Sequence, residues 1–139
     1  MKIKISQFKE KKSDVIVKPF YAKDLDVGAD VSLPSHIDLK PGITKVPLNL
    51  SIELPNGFMG LILPRSGNSS KGLTCEPVPI DPSYTGNIHA IVNNTTDKVI
   101  PLPGGYRIAQ LVIIPIIRAE FVNKPLDVRG DAGFGSTGN

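Results

Sequence analysis

Three polar segments carry side chains suited to chemistry. The C-terminal one, Arg129-Gly130-Asp131-Ala132-Gly133-Phe134-Gly135-Ser136-Thr137-Gly138, sets one aromatic ring, one guanidinium and two hydroxyls among glycines. Such a segment buries nothing useful in a monomer. An exposed Phe134 there makes sense if it stacks on a ligand or partner. Glycine also lets backbone N–H groups approach phosphate oxygens closely. The second segment, Pro64-Arg65-Ser66-Gly67, opens a polar, glycine-bounded stretch ending at Gly72; taken alone it reads as a loop. The third, Asp81-Pro82-Ser83-Tyr84-Thr85-Gly86, lies between Ile80 and Ile88 and reads as a turn joining two strands. One cysteine, Cys75, and two histidines, His36 and His89, exclude an internal disulfide framework and a His/Cys metal cluster. Cys75 reads as a small buried hydrophobe, His36 as solvated and His89 as a strand residue contributing its backbone.

The elements that must position these segments are short strands. The 139 residues include 13 glycines and 13 prolines, too dense a punctuation for long helices. Val46, Leu48, Leu50, Ile52 and Leu54 alternate with period two inside Ile43 to Leu54. Pro55-Asn56-Gly57 then predicts a hairpin into Phe58 to Leu63. Further runs are Val15 to Val17, Val27 to Leu33, Ile88 to Val92, Val99 to Leu102, Arg107 to Ile117 and Ala119 to Val122. A short helix fits only Ser69 to Leu73. Many short strands indicate a sandwich or barrel. The chain is one domain in length, without repeat or linker. Sixteen basic against 13 acidic side chains give a net charge of +3, too small and scattered for DNA binding. The longest apolar run, Leu111 to Ile117, falls far short of the roughly 20 residues of a membrane span, and no secretion signal opens the chain. The expectation is an intracellular, cytoplasmic protein.

Taken in order, the segments resemble the five motifs of the trimeric dUTP pyrophosphatases (dUTPases). Gly28-Ala29-Asp30-Val31 resembles the first, Pro64-Arg65-Ser66-Gly67 the second and Ile80 to Gly86 the third. Arg107-Ile108-Ala109-Gln110-Leu111 is similar to the fourth, and the glycine-rich tail to the fifth. The resemblance implies an all-β fold, a distorted jelly-roll-like β-barrel, assembled as a homotrimer with a flexible C-terminal arm. Residues 1–126 would form the barrel and 127–139 the arm closing over an active site. The implied activity is hydrolysis of dUTP to dUMP and pyrophosphate by water attack at the α-phosphorus, with Mg2+ bound mainly by the triphosphate. That reaction keeps uracil out of DNA and supplies dUMP for dTMP synthesis.

Roles carry over residue by residue. Asp81 matches the general base, since an ordinary carboxylate is ionised at pH 7 and can take a proton from water. Arg65, Ser66, Gly67, Gln110, Arg129, Ser136 and Thr137 would contact the phosphates, and Asp30 would hold magnesium through water. Base choice would fall to the backbone of a hairpin around Pro79, Ile80, Ile88 and His89. Tyr84 would pack on the deoxyribose, and Phe134 with Gly135 would close on the uracil. Arg107 reads as structural, paired with a buried carboxylate. Three positions depart from the family pattern: Glu76-Pro77-Val78-Pro79 replaces glycine-rich sequence, Tyr106 an acidic residue and Ala132 a glycine. Pro77 and Pro79 each remove an N–H donor near the base. A dCTP deaminase, which shares the fold, needs a glutamate in the third-motif hairpin that is absent here. A regulatory module without catalysis would lack the base or the arm. A regulatory protein partner alongside activity is compatible with the sequence.

Overall fold

A computed structural model of the chain describes residues 1–7 and 18–125. Val15 to Val17 and the tail from Leu126, with Arg129, Phe134, Gly135, Ser136 and Thr137, lie outside the described residues. The architecture is nearly all-β, as expected. In chain order the strands are β1 (Lys4–Gln7), β2 (Ala29–Ser32), β3 (Ile37–Leu39), β4 (Gly42–Pro47), β5 (Leu50–Glu53) and β6 (Phe58–Leu63). A single-turn helix, α1 (Ser66–Ser69), follows. Then come β7 (Leu73–Glu76), β8 (Val78–Ile80), β9 (His89–Asn94), β10 (Ile100–Leu102) and β11 (Arg107–Pro115). They assemble as a four-stranded sheet in the order β2-β11-β6-β8, a three-stranded sheet β4-β9-β7, and the pairs β1-β5 and β10-β3. Every ladder is antiparallel. No helix among the described residues is long and apolar enough to cross a membrane.

The alternating residues Val46, Leu48, Leu50, Ile52 and Leu54 are all buried in the core, with Val31, Leu33, Ile62, Ile88, Val92 and Ile108. Period two therefore located the apolar face. It did not show that the run is two strands. Asn49 takes φ 54°, a left-handed conformation that ends β4 and starts β5. Ile88 bridges the break: Leu48 N–H donates to its carbonyl (2.9 Å) and its own N–H donates to Leu50 C=O (2.8 Å).

Two hairpins expected from the sequence are turns between different sheets. Gly57 has φ +86° and Phe58 N–H donates to Pro55 C=O at 3.3 Å, so the Asn56-Gly57 turn forms. Its arms do not pair with each other, because β5 pairs with β1 while β6 has β11 on one edge and β8 on the other. Likewise β8 pairs with β6, and β9 with β4 and β7, so no ladder joins β8 to β9. The two strands around Asp81 to Asn87 diverge, and the cleft described below lies between them. The helix also sits earlier than Ser69 to Leu73. No strand covers Ala119 to Val122; Phe121 there is 95% exposed, and Ile117 just before it 96%.

Candidate active site

A cleft of about 280 Å³ opens between β8 and β9. Its walls include Pro79, Ile80, Tyr84, Ile88 and His89, five residues expected at the base and sugar, together with Asp81, expected as the general base. That volume is near the lower end of ligand pockets, about 300–1,000 Å³, and suits one ring system with a sugar. Asp81 is exposed and caps the end of β8; its carbonyl accepts from Tyr84 N–H (3.0 Å), which turns the chain back. Asp81 also lines a larger hollow of about 920 Å³ with Asn56, Ser83 and Arg118, so its carboxylate is open to water on both sides.

The carbonyl of Asn87 pins the cleft. Tyr84 O–H donates to it at 2.7 Å and His89 Nδ1–H at 2.9 Å. A carbonyl accepts only, so the proton of neutral His89 is on Nδ1 and Nε2 is an acceptor. The buried side chain of Asn87 accepts from Leu50 N–H (3.2 Å), tying the turn to the core. The Tyr84 ring lies folded over Gly86, where a Cβ would come 2.7 Å from its hydroxyl and 2.8 Å from its ring. The ring thus rests against its own turn, 43% exposed, and lines the cleft. Ile88 lines the cleft while its N–H donates to Leu50 C=O and its carbonyl accepts from Leu48 N–H, so only the second lone pair of that carbonyl is left for a ligand. Cys75 is buried, as expected, and desolvation, with Glu76 nearby, pushes its thiol above the usual range.

A second cluster surrounds Asp30 on β2. Its carboxylate is 9% exposed and receives Arg65 Nε at 2.9 Å and Arg107 Nη1 at 3.4 Å. Arg107 also lies over the Phe20 ring, 4.8 Å from the centroid, which agrees with the structural role expected of it. Arg65 Nη1 donates to Arg107 C=O (3.3 Å), and among the described residues nothing receives the donors of its Nη2 amino group. Gln110, level with Asp30 in the β2–β11 register, donates to Pro64 C=O at 2.8 Å. Its carboxamide lies over Gly28, where a Cβ would come within 2.1 Å of Oε1. Ser66 and Gly67 open α1 beside Arg65.

Asn68 and Tyr106 hold this cluster in place, and sequence reasoning gave them no such part. Asn68 is 5% exposed; its Nδ2 donates to Arg107 C=O (3.1 Å) and Ile108 C=O (3.2 Å), and Tyr106 O–H donates to its Oδ1. The loop from Pro64 is thereby docked on β11 where its register with β2 shifts between Arg107 and Ala109. Only the departure at Tyr106 hinted at this. Asn68→Ala would orphan these groups at a cost of about 2–3 kcal/mol, lowering the thermal midpoint by roughly 10 °C. An unchanged melting curve would refute that role.

The predicted residues thus fall into two groups. Ile80 pairs with Gly60, which sets Asp81 level with Met59. Arg65 lies beyond Leu63 at the other end of β6. At about 3.3 Å per residue the two are roughly 13–20 Å apart along the strand.

A diverged strand pair forming a nucleoside-sized cleft, with an arginine-bearing loop elsewhere on the surface, defines a small-ligand site in an all-β protein. The dUTPase family model matches residues 3–138. A deoxyuridine 5'-triphosphate nucleotidohydrolase of Leifsonia xyli is 43% identical over 131 residues, covering 86% of this chain and 84% of that protein. That of Crocosphaera subtropica is 38% identical over 145 residues and covers 99% of both. A Staphylococcus bacteriophage 80alpha dUTPase variant solved with dUpNHpp superposes with a TM-score of 0.82 at 25% identity, covering 99% of each chain. The phage phi11 dUTPase of S. aureus, described with a structural Mg(II) ion, gives 0.77 at 22% identity, covering 89% of this chain and 97% of that one. The chain belongs to the dUTPase family, and its fold is the jelly-roll-like β fold of that family.

Proposed function

We propose that this protein hydrolyses dUTP to dUMP and pyrophosphate. The observation that carries the reading is the single cleft holding Asp81, Tyr84 and the β8–β9 walls, in a chain of the dUTPase family. The pyrimidine enters between β8 and β9, the deoxyribose packs on Tyr84, and the α-phosphorus comes to the Asp81 end. A 2′-hydroxyl would crowd the Tyr84 ring, which Gly86 and the Asn87 carbonyl hold in place. Asp81 takes a proton from a water aligned on the α-phosphorus.

Arg65 Nη2, Ser66 O–H and the Gly67 N–H receive the phosphate oxygens, and Gln110 fixes the loop that presents them. A magnesium ion carried by the triphosphate would neutralise phosphate charge and orient it. Both Asp30 oxygens already accept from arginines, and no group of three or more His, Cys, Asp or Glu lies together among the described residues. Those donors do not make an all-protein cage. They fit the role in which a spare lone pair on Asp30 accepts from a metal-bound water.

The separation of roughly 13–20 Å along β6 between Asp81 and Arg65 supports assembly, because a reacting water and the phosphate ligands must meet around one phosphorus within a few ångströms. We infer a homotrimer in which one chain gives the cleft and another the Arg65 loop. In this reading residues 1–126 are the barrel, and the arm 127–139 brings Phe134 and Gly135 over the uracil and Arg129, Ser136 and Thr137 to the terminal phosphates. Exposed Ile117 and Phe121 support a partner surface leading to that arm. Truncation after Val128 should then reduce kcat/KM by roughly 10²-fold or more, with assembly intact by light scattering. Full activity of the truncated enzyme would remove the arm from the site.

The assay that tests the proposal is pyrophosphate release from dUTP with magnesium, beside dCTP, dTTP and UTP. Release from dUTP alone is expected. Binding of dUTP without release would leave a nucleotide-binding role instead.

A further inference from the structure

Two prolines decide what the cleft can say to a base. Pro47 lies opposite His89 and has no N–H, so that pair is of the kind that exchanges no hydrogen bonds. The N–H and C=O of His89 therefore turn toward the other edge of β9. There β7 has ended at Glu76, opposite Ile91, and the chain has left to pair with β6 as β8. Pro79 lies opposite Leu61, and by the same logic its carbonyl turns away from β6, toward the cleft. Between the diverging strands the two positions thus present one N–H, from His89, and two carbonyls.

Uracil asks for the reverse. Its O2 and O4 accept and its N3–H donates, so it needs two donors and one acceptor along that edge. An ordinary residue at position 79 would have supplied the missing N–H. At the far end the side chains on the walls do not restore it: Tyr84 O–H and His89 Nδ1–H are both bound to Asn87 C=O, neutral Nε2 only accepts, and the Asn87 amide, tied by its Oδ1 to Leu50 N–H, keeps its donors at the turn beside Tyr84. O4 points away from the sugar, hence away from Asp81, toward the end lined by Val78, Ile91 and Lys45. Lys45 is level with Ile91 on β4, exposed, and joined to no carboxylate by an ion pair among the described residues. Glu76 faces Ile91 from the other side, two strand spacings away at about 10 Å. An ammonium has three donors and no acceptor.

We propose that Lys45 is a specificity-determining residue: it donates to the C4 carbonyl of the bound pyrimidine, replacing the N–H that Pro79 lacks. Cytosine carries an amino group at C4, which meets the ammonium donor to donor. The inference rests on the reading of the cleft as the dUTP site. Thymine shares O4 with uracil, so Lys45 takes no part in rejecting the C5-methyl group.

The test compares wild type, Lys45→Met and Lys45→Arg, using steady-state kinetics with dUTP and binding of the imido analogues of dUTP and dCTP. Lys45→Met should lower kcat/KM for dUTP about 10–100-fold, chiefly through KM, and shrink the dUTP-to-dCTP affinity ratio by at least about 10-fold. Lys45→Arg, which keeps donors at that end, should recover most of the ratio. An unchanged ratio overturns the proposal. So does an equal loss for both analogues that fades with added salt, the mark of general attraction to the triphosphate. Wild-type enzyme that fails to hydrolyse dUTP would sink the functional reading as well; hydrolysis by wild type with an unaltered ratio in Lys45→Met sinks the role of Lys45 alone.

Discussion

Asp81→Asn is expected to lower dUTP turnover by roughly 10²–10⁴-fold while leaving nucleotide affinity within a few-fold. The carboxamide has the shape of the carboxylate, and the turn does not depend on the charge, since the Asp81 carbonyl, not its side chain, receives Tyr84 N–H. The cleft walls and the Asn87 pin stay in place. What is lost is the proton acceptor on a side chain open to water. Rapid-quench turnover and calorimetry with an imido analogue separate the two effects. A variant with near-normal kcat would show that another group takes the proton, and equal losses in affinity and turnover would make Asp81 a binding residue.

The residues that meet in the cleft were legible because motif order survives in sequence: Pro79, Ile80, Asp81, Tyr84 and His89 lie within one short stretch and stay together in space. The partnership of the strands was not legible. Asn56-Gly57 and Asp81 to Gly86 have the composition of hairpin turns, but composition fixes only the local bend. Which edge each arm joins is settled by long-range competition, in which β6 takes β11 and β8 and leaves β5 to β1. The same competition opens the cleft. Had β8 paired with β9, its edge groups would be satisfied and no base could enter.

Asp30 was read from its motif as a metal-side carboxylate, and its pairing with Arg65 and Arg107 was only partly foreseen, through the expected burial of Arg107's partner. Positions 30, 65 and 107 are far apart in the chain and converge through the β2-β11-β6 order. Asn68 was invisible for a related reason: an Asn in a glycine-bounded loop reads as solvated, and only the register shift in β11 frees the Arg107 and Ile108 carbonyls for it.

Mixing two inactive variants should restore activity. Arg65→Ala removes a phosphate donor and leaves the Asp30 carboxylate to Arg107, so alone it should lose roughly 10²-fold or more in kcat/KM. If Asp81 and Arg65 of one chain serve different sites, Asp81→Asn and Arg65→Ala subunits complement each other. In a randomly reassembled equimolar mixture, a site draws its cleft from an Arg65→Ala chain and its loop from an Asp81→Asn chain about one time in four, so about a quarter of wild-type activity should return. Each variant reassembled alone stays inactive. The roughly 13–20 Å that β6 sets between the two residues makes this the expected outcome, because no side chain spans about that distance to a single phosphorus. A mixture no more active than the mean of its parts would mean that each site is built within one chain, and that the chain must then bend or refold to bring Arg65 to Asp81.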